Sequence, residues 1–257
     1  MPQLTDFTIG LPDIERALVI APHPDDETLG CGGTIALYTS RGCAVHVVDL
    51  SYGEVGESGG YWAREGSKSI DEAKRVRAAE AEEAASILGA TIEFPDFGDY
   101  PLMIDQPRLE QLAKLIRRRR PDIILTHWKQ DPFNIDHEVT TLAVLRAAGI
   151  AAIPGFDHTG EAVHPYPYAF GYEPTVPRNE AAGFFPDHYV AIEDVFDVKM
   201  KALRALRSQG FLEKFYTQWA EYRALQATQS SRKPVKYAEA FQRFVATVDT
   251  RLPEPGR

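Results

Sequence analysis

Seven consecutive residues, Ala21, Pro22, His23, Pro24, Asp25, Asp26 and Glu27, carry the densest chemistry in the sequence. A divalent metal such as zinc takes compact nitrogen and oxygen donors, and one tight turn can supply two of them as His23 and Asp26. A third donor must come from a distant part of the chain, and His137, preceded by Asp136, is well placed for it. Three protein ligands leave coordination positions open, which is the pattern of a catalytic rather than a structural site. Asp25 is then free to act as general base on a metal-activated water. Acidic residues after a proline are also ordinary at a helix N-terminus, where they complement free N–H groups. The chemical reading gains weight from what surrounds the turn: an apolar run before it and Gly30-Cys31-Gly32-Gly33 just after it.

Such residues need a scaffold to bring them together. Residues 17–21 (ALVIA) have the pattern of a strand buried on both faces. Helical spacing follows over 28–40, a second strand over 44–50, and a polar, glycine-rich stretch over 51–67. A helix over 69–88 closes at Gly89, a third strand spans 91–94, a helix 109–120 and a fourth strand 122–126. This alternation predicts an α/β fold with a Rossmann-like, mostly parallel sheet and helices on both faces. Functional groups in such folds gather at the carboxyl ends of strands, where residues 23–27, 51–67 and 127–137 would fall.

Beyond the alternation, residues 154–186 are rich in proline, glycine and aromatics, as in an ordered loop lining a pocket. Residues 190–192 read as a strand, 194–225 as helix broken near Gly210, and 237–248 as a short amphipathic helix. The expected organisation is a single domain over 1–257. Its core spans 15–150, a pocket-lining loop and strand 151–192, and a helical C-terminal segment 193–257. Phe211, Phe215, Tyr216, Trp219 and Tyr222 have helical spacing and read as core, or as the face of a homo-oligomer formed through the C-terminal helices.

The net charge of −9 argues against a nucleic-acid partner, which would call for a basic face. The basic run at 117–120 ends a helical pattern before Pro121, where cations suit a helix C-terminus. Two cysteines, Cys31 and Cys43, make neither a disulfide framework nor a cysteine-based metal site. No apolar run approaches ~18 residues and the first residues lack the features of a secretory leader, so a cytoplasmic location without a membrane partner is expected. A non-enzymatic nucleotide-binding module is the remote alternative. Gly30, Gly32 and Gly33 are its basis, but they follow the acidic turn, and no G-x-G-x-x-G opens it.

The whole arrangement resembles the LmbE-like family, also called PIG-L-type deacetylases. The likeness is carried by residues 21–27, by 134–137 (NIDH), by 51–57 (SYGEVGE) and by the helix over 80–89 ending in Leu-Gly. It implies an LmbE-like, Rossmann-like fold with one zinc ion on His23, Asp26 and His137. It also implies hydrolysis of an N-acyl group on a small molecule, with Asp25 as general base and Asp136 among the catalytic residues. The family pattern often has a histidine three residues before the last ligand; here that position is Asn134. An amide can donate a hydrogen bond to an oxyanion but cannot deliver a proton to a leaving amine. Asp25, His127, His158, His164 and His188 are then the candidates for the missing acid.

Within the family the chain also resembles the 4-oxalomesaconate hydratases, which add water across a carbon–carbon double bond. Residues 51–58 followed by Trp62, 97–101 (FGDYP), 131–137 (DPFNIDH) and 168–174 (YAFGYEP) carry this likeness, and Asn134 fits it. It implies Glu57 as the acid/base. That subgroup places a histidine after its Glu-Pro pair, whereas Thr175 follows Glu173-Pro174 here. Glu54, Trp62, Arg64 and His127 read as substrate contacts, and Arg64, Lys68, Arg178 and Arg204 as cations for a carboxylated substrate. The intact acidic turn makes a zinc-dependent hydrolase of a C–N bond the leading expectation, and a zinc-dependent hydratase of an unsaturated oxo-acid the alternative. A site of this donor set also accepts iron or manganese.

Overall fold

Seven strands form one sheet in the order β3-β2-β1-β4-β5-β7-β6. They are β1 (Arg16–Ala21), β2 (Ala44–Asp49), β3 (Thr91–Glu93), β4 (Ile123–His127), β5 (Tyr168–Tyr172), β6 (His188–Ala191) and β7 (Ala238–Arg243). The helices are α1 (Asp26–Ser40), α2 (Gly59–Trp62), α3 (Ile70–Leu88), α4 (Gln106–Arg119), α5 (Ile135–Ala151), α6 (Phe196–Ala205) and α7 (Glu213–Ser230). This computed structural model describes residues 14–245 apart from 67, 158–161, 163–165, 178, 210–212 and 232.

The first five strands are parallel and the last two run antiparallel to their neighbours. The chain lays β1, β2 and β3 outward in one direction, then returns to place β4 on the other flank of β1. The topological switch point therefore lies between β1 and β4, where ligand sites form at the carboxyl ends of the strands. Alternation along β1 divides the core in two. Ala17 and Val19 pack with Ile35 of α1, Leu88 of α3 and Leu203 of α6. Leu18 and Ile20 pack on the other face with Leu112 and Ile116 of α4 and Val144 of α5. Helices on both faces exclude water from a sheet whose strands are nearly continuous in apolar residues.

Local chemistry fixes the helix ends. Ser69 accepts a hydrogen bond from Glu72 N at 3.1 Å and caps α3, which Gly89 closes at φ 78°. Helix α1 is kinked at Cys31 (φ −143°), and the backbone freed there is satisfied from the C-terminal part of the chain. Glu239 of β7 accepts from Gly33 N and Thr34 N at 2.7 Å each, while Lys199 of α6 donates to Leu29 O at 2.8 Å. Lys199 and Glu239 also pair with one another, both buried. A Cβ on Gly30 would lie 2.3 Å from the Tyr172 ring, and one on Gly33 2.8 Å from Ile192. The glycines after the acidic turn thus let α1 lie close against its neighbours.

Three expectations for the second half are corrected. The stretch read as a loop contains β5, whose five residues pair with β4 from Ile123↔Tyr168 to His127↔Tyr172. Flanking prolines and glycines concealed it. The helix expected over 237–248 is strand β7 in its described part, inserted between β5 and β6. Its Ala, Glu and Gln favour a helix, but burial between two strands overrides that weak preference. The C-terminal segment is therefore not purely helical. Helix α6 ends at Ala205 and α7 begins at Glu213, which places the break near the expected Gly210. No helix among the described residues is long and apolar enough to cross a membrane.

Candidate active site

The turn after β1 and the start of α5, which follows β4, meet at the switch point. There His23, Asp26 and His137 each offer a donor atom, all within 4.8 Å of one another, and all three residues are buried. Each histidine is oriented by a carboxylate behind it. Asp136 Oδ2 lies 3.3 Å from His23 Nε2, leaving Nδ1 toward Asp26 at 3.2 Å. Asp131 Oδ2 lies 2.8 Å from His137 Nδ1, leaving a buried Nε2 that has no hydrogen-bond partner among the described residues and lies 3.5 Å from Asp26 Oδ1. A buried imidazole nitrogen without a partner, aimed at a carboxylate and matched by a second imidazole, fits a divalent cation. Carboxylate–histidine pairs behind the donors are the usual way of fixing ligand tautomers.

Electrostatics agree with that fit. Burial works against a charged His23, but hydrogen bonds to Asp136 and Asp26 outweigh it and raise its pKa to about 10. Burial likewise opposes the charge on Asp26, yet His137 and His127 hold its carboxyl well below the usual range. The cluster of carboxylates thus draws positive charge into the centre. His127 stacks on His137 with ring centroids 3.8 Å apart, and its Nε2 lies 3.2 Å from Asp26 Oδ1. Burial, then the neighbouring His137, lowers its pKa to about 4, so it is neutral at physiological pH.

Two further carboxylates flank the three donor residues. Asp25 precedes α1 at φ 157°, ψ −31°, an unusual backbone conformation for a residue with a side chain. Its N–H donates to Glu27 at 3.0 Å, and its Oδ2 is engaged by Gln209 and by Arg77 at 3.5 Å. Glu57 approaches from the loop after β2. Its Oε1 lies 3.9 Å from His23 Nδ1 and accepts from Tyr100 Oη at 2.9 Å and Asn134 Nδ2 at 3.1 Å. Asp99 holds this loop by accepting from Val55 N and Gly56 N, at 3.0 and 2.8 Å.

Asn134 has two tasks. It caps α5 by accepting from Asp136 N at 3.1 Å, and its amide nitrogen donates to Glu57. The capping bond fixes which end of the amide faces the carboxylate.

These groups line one cavity of about 270 Å³. Of the residues singled out from sequence, Asp25, Asp26, Glu57, His127, Asn134 and His137 line it. His23 contributes from beneath, fully buried. Others are placed differently. Asp136 is a buried support, accepting from Tyr100 N and Leu102 N as well as facing His23, so it does not meet the cavity as a catalytic group. Glu54 and Trp62 hold the loop: Trp62 Nε1 donates to Glu54 O at 2.9 Å, and neither lines the cavity. Arg64 lies over the Tyr61 ring, Lys68 bonds Trp62 O, and Arg204 pairs with Glu213; none is a lining residue. His188 sits on β6 beside Phe170, away from the lining. His158, His164, Arg178 and Phe211 lie outside the described residues.

The far wall is built from residues to which their spacing gave no part in the site. Tyr216 and Trp219 of α7 line the cavity, although their helical spacing reads as core. Glu173 is held there by Trp219 Nε1, Arg223 and Asn179. Thr175, which follows the Glu-Pro pair, spends both its N–H and its hydroxyl on Asp131, at 2.7 and 2.8 Å. Tyr100 and Asp131 lie inside motifs already noted, but nothing in their spacing reveals their contacts.

A family model described as PIG-L: GlcNAc-PI de-N-acetylase matches residues 18–148. A 4-oxalmesaconate hydratase of Pseudomonas putida is 37% identical over 242 residues, covering 93% of this chain and 92% of that protein. A diacetylchitobiose deacetylase of Thermococcus kodakarensis is 31% identical over 250 residues, covering 93% and 87%. Among solved structures, GalB, the 4-carboxy-2-hydroxymuconate hydratase from Pseudomonas putida, superposes with a TM-score of 0.87 at 37% identity. That match covers 93% of this chain and 100% of the other.

Proposed function

The chain belongs to the PIG-L, or LmbE-like, family, and from that premise we propose that it is a metal-dependent hydratase of an unsaturated oxo-carboxylic acid. The observation that carries this reading is the position of Glu57. Its carboxylate stands 3.9 Å from the donor nitrogen of His23, faces the cavity, and receives hydrogen bonds from Tyr100 and Asn134. Full-length similarity to hydratases supports it. Asn134 is no handicap for hydration, since no leaving amine has to be protonated.

His23, Asp26 and His137 would hold the divalent ion, proposed to be zinc, which when bound supplies a Lewis acid for a substrate oxygen. The chain's own residues then do the proton work. Glu57 takes a proton from water as the water oxygen bonds to the carbon β to the substrate carbonyl. Glu57 returns that proton to the α carbon, so one water is consumed and the carboxylate is regenerated. Asn134, fixed by its capping bond, keeps Glu57 oriented. Asp136 and Asp131 orient the two imidazoles that would hold the ion.

A second reading, hydrolysis of an N-acyl group, is favoured by one observation: Asp25 of the intact acidic turn lines the same cavity. The expectation that put this reaction first is therefore reordered, with hydration ahead of it. The test compares two substrate panels, unsaturated oxo-di- and tricarboxylic acids and small N-acetylated compounds. Loss of conjugated absorbance without amine release supports the hydratase; amine release alone overturns it.

A further inference from the structure

Tyr100 occupies a place that the acid/base role of Glu57 does not by itself explain. Its ring stacks on the His23 ring at 5.7 Å and 16°, and it packs against Gly56, where a Cβ would lie 2.0 Å from it. Its backbone N–H donates to Asp136 Oδ2 at 2.9 Å, the same oxygen that faces His23. One buried carboxylate thus ties the Tyr100 backbone to the His23 imidazole. The residue is nevertheless 41% exposed and lines the cavity, with its hydroxyl on Glu57 Oε1 at 2.9 Å. A phenol, with an ordinary pKa of about 10, is protonated at physiological pH. It is therefore a neutral O–H donor resting on the carboxylate that performs the chemistry.

Two neighbouring donors have partners of their own. Thr175 gives its hydroxyl and N–H to Asp131, and the Asn134 amide is locked between its helix cap and Glu57. When Glu57 becomes protonated, it stops being a charged acceptor, and its hydrogen bond from Tyr100 weakens by about half. The phenol is released at the moment a substrate oxygen gains negative charge.

Resting on the hydratase reading above, we infer that Tyr100 is a catalytic residue whose hydroxyl passes from Glu57 to the substrate carbonyl oxygen as the enolate forms. The balance is closed. The water O–H bond breaks and its proton goes to Glu57, while the water oxygen bonds to the β carbon. The C=C pair shifts to the α-carbon–carbonyl-carbon bond, and the carbonyl π pair moves onto oxygen, where Tyr100 donates a hydrogen bond without losing its proton. The pair then returns, and the α carbon takes the proton from Glu57. Donors aimed at developing negative charge are among the largest contributions to catalysis.

Tyr100→Phe, Tyr216→Phe and Glu57→Gln are compared with the wild type on unsaturated oxo-di- and tricarboxylic acids, with bound metal measured in each. Tyr100→Phe is expected to lower kcat by about 10²–10³-fold, the cost of one lost oxyanion donor, with KM within about 3-fold and metal content unchanged. A Tyr100→Phe enzyme with near wild-type kcat overturns the proposal. So does a loss confined to Tyr216→Phe, the other phenol of the cavity. Loss of metal together with activity in Tyr100→Phe also overturns it, by reducing Tyr100 to a support for His23. A fully active Glu57→Gln enzyme, or a wild type that hydrates none of the acids, overturns the underlying reading and the role of Tyr100 with it. An active wild type, an impaired Glu57→Gln and an intact Tyr100→Phe overturn the Tyr100 role alone.

Discussion

The carboxylate of Asp25 and the guanidinium of Arg77 stand 3.5 Å apart, one on the turn after β1 and the other fully buried on α3. Arg77 also donates to Tyr52 O at 3.2 Å, at the start of the loop that carries Glu57. One buried cation therefore joins the turn that presents the proposed metal donors to the loop that presents the proposed acid/base. Asp25 thus has a structural partner, whereas Glu57, among the described residues, accepts its hydrogen bonds from Tyr100 and Asn134, which face the cavity with it.

This difference predicts unequal kinetic effects. Glu57→Gln is expected to lower kcat by about 10²–10⁴-fold, the usual contribution of a general acid/base. Asp25→Asn keeps a hydrogen-bonding group toward Gln209 and is expected to lose far less. Steady-state turnover on the same substrate decides the order. A severe loss in Asp25→Asn with a mild one in Glu57→Gln would make Asp25 the base.

Behind the proposed ligands, Asp131→Asn tests the orienting pair. The variant keeps the shape but loses the charge that faces His137 Nδ1 at 2.8 Å. Loss of such a partner typically costs about 10–100-fold in metal affinity. Competition titration with a chromophoric chelator measures it, and unchanged affinity would mean that Asp131 serves only the Thr175 loop.

The kink of α1 predicts a stability effect far from the cavity. Glu239→Ala leaves Lys199 buried without its counter-ion and frees the N–H groups of Gly33 and Thr34. Breaking a buried pair in this way costs about 3–5 kcal/mol. Urea denaturation should show a loss of that size, and a loss below about 1 kcal/mol would contradict the account.

Close packing makes a further prediction. Gly30→Ala places a Cβ 2.3 Å from the ring of Tyr172, which is fully buried and lies 4.5 Å from the His127 ring. Overpacking of this kind costs about 1–3 kcal/mol. The thermal midpoint should fall, and an unchanged midpoint would show that Tyr172 has room to move.

The sequence reveals some of these relationships and not others, for physical reasons. Strand and helix periodicity over residues 17–126 is strong because a parallel sheet covered on both faces demands long apolar runs. The polar clusters at 23–27 and 127–137 then fall at strand ends by necessity. Strand β7 was hidden because its Glu239 is polar yet buried, satisfied by a helix some two hundred residues earlier in the chain. Asp136 adjoins His137 in sequence, but adjacency does not tell which way a side chain points from the first turn of a helix. Glu54, Trp62 and Arg64 share a loop with Glu57, and only the fold separates the residue that faces the cavity from those that hold the loop. Tyr100 is paired with Glu57 across forty-three positions by tertiary structure alone.

The central claim is that this site hydrates a carbon–carbon double bond through Glu57. The most direct measurement is turnover of metal-supplemented enzyme on unsaturated oxo-carboxylic acids and on N-acetylated compounds, side by side, with and without chelator. The account predicts loss of conjugated absorbance that chelator abolishes and Glu57→Gln severely impairs, with no amine released. Chelator-sensitive amine release with unchanged absorbance would contradict it and return the chemistry to Asp25.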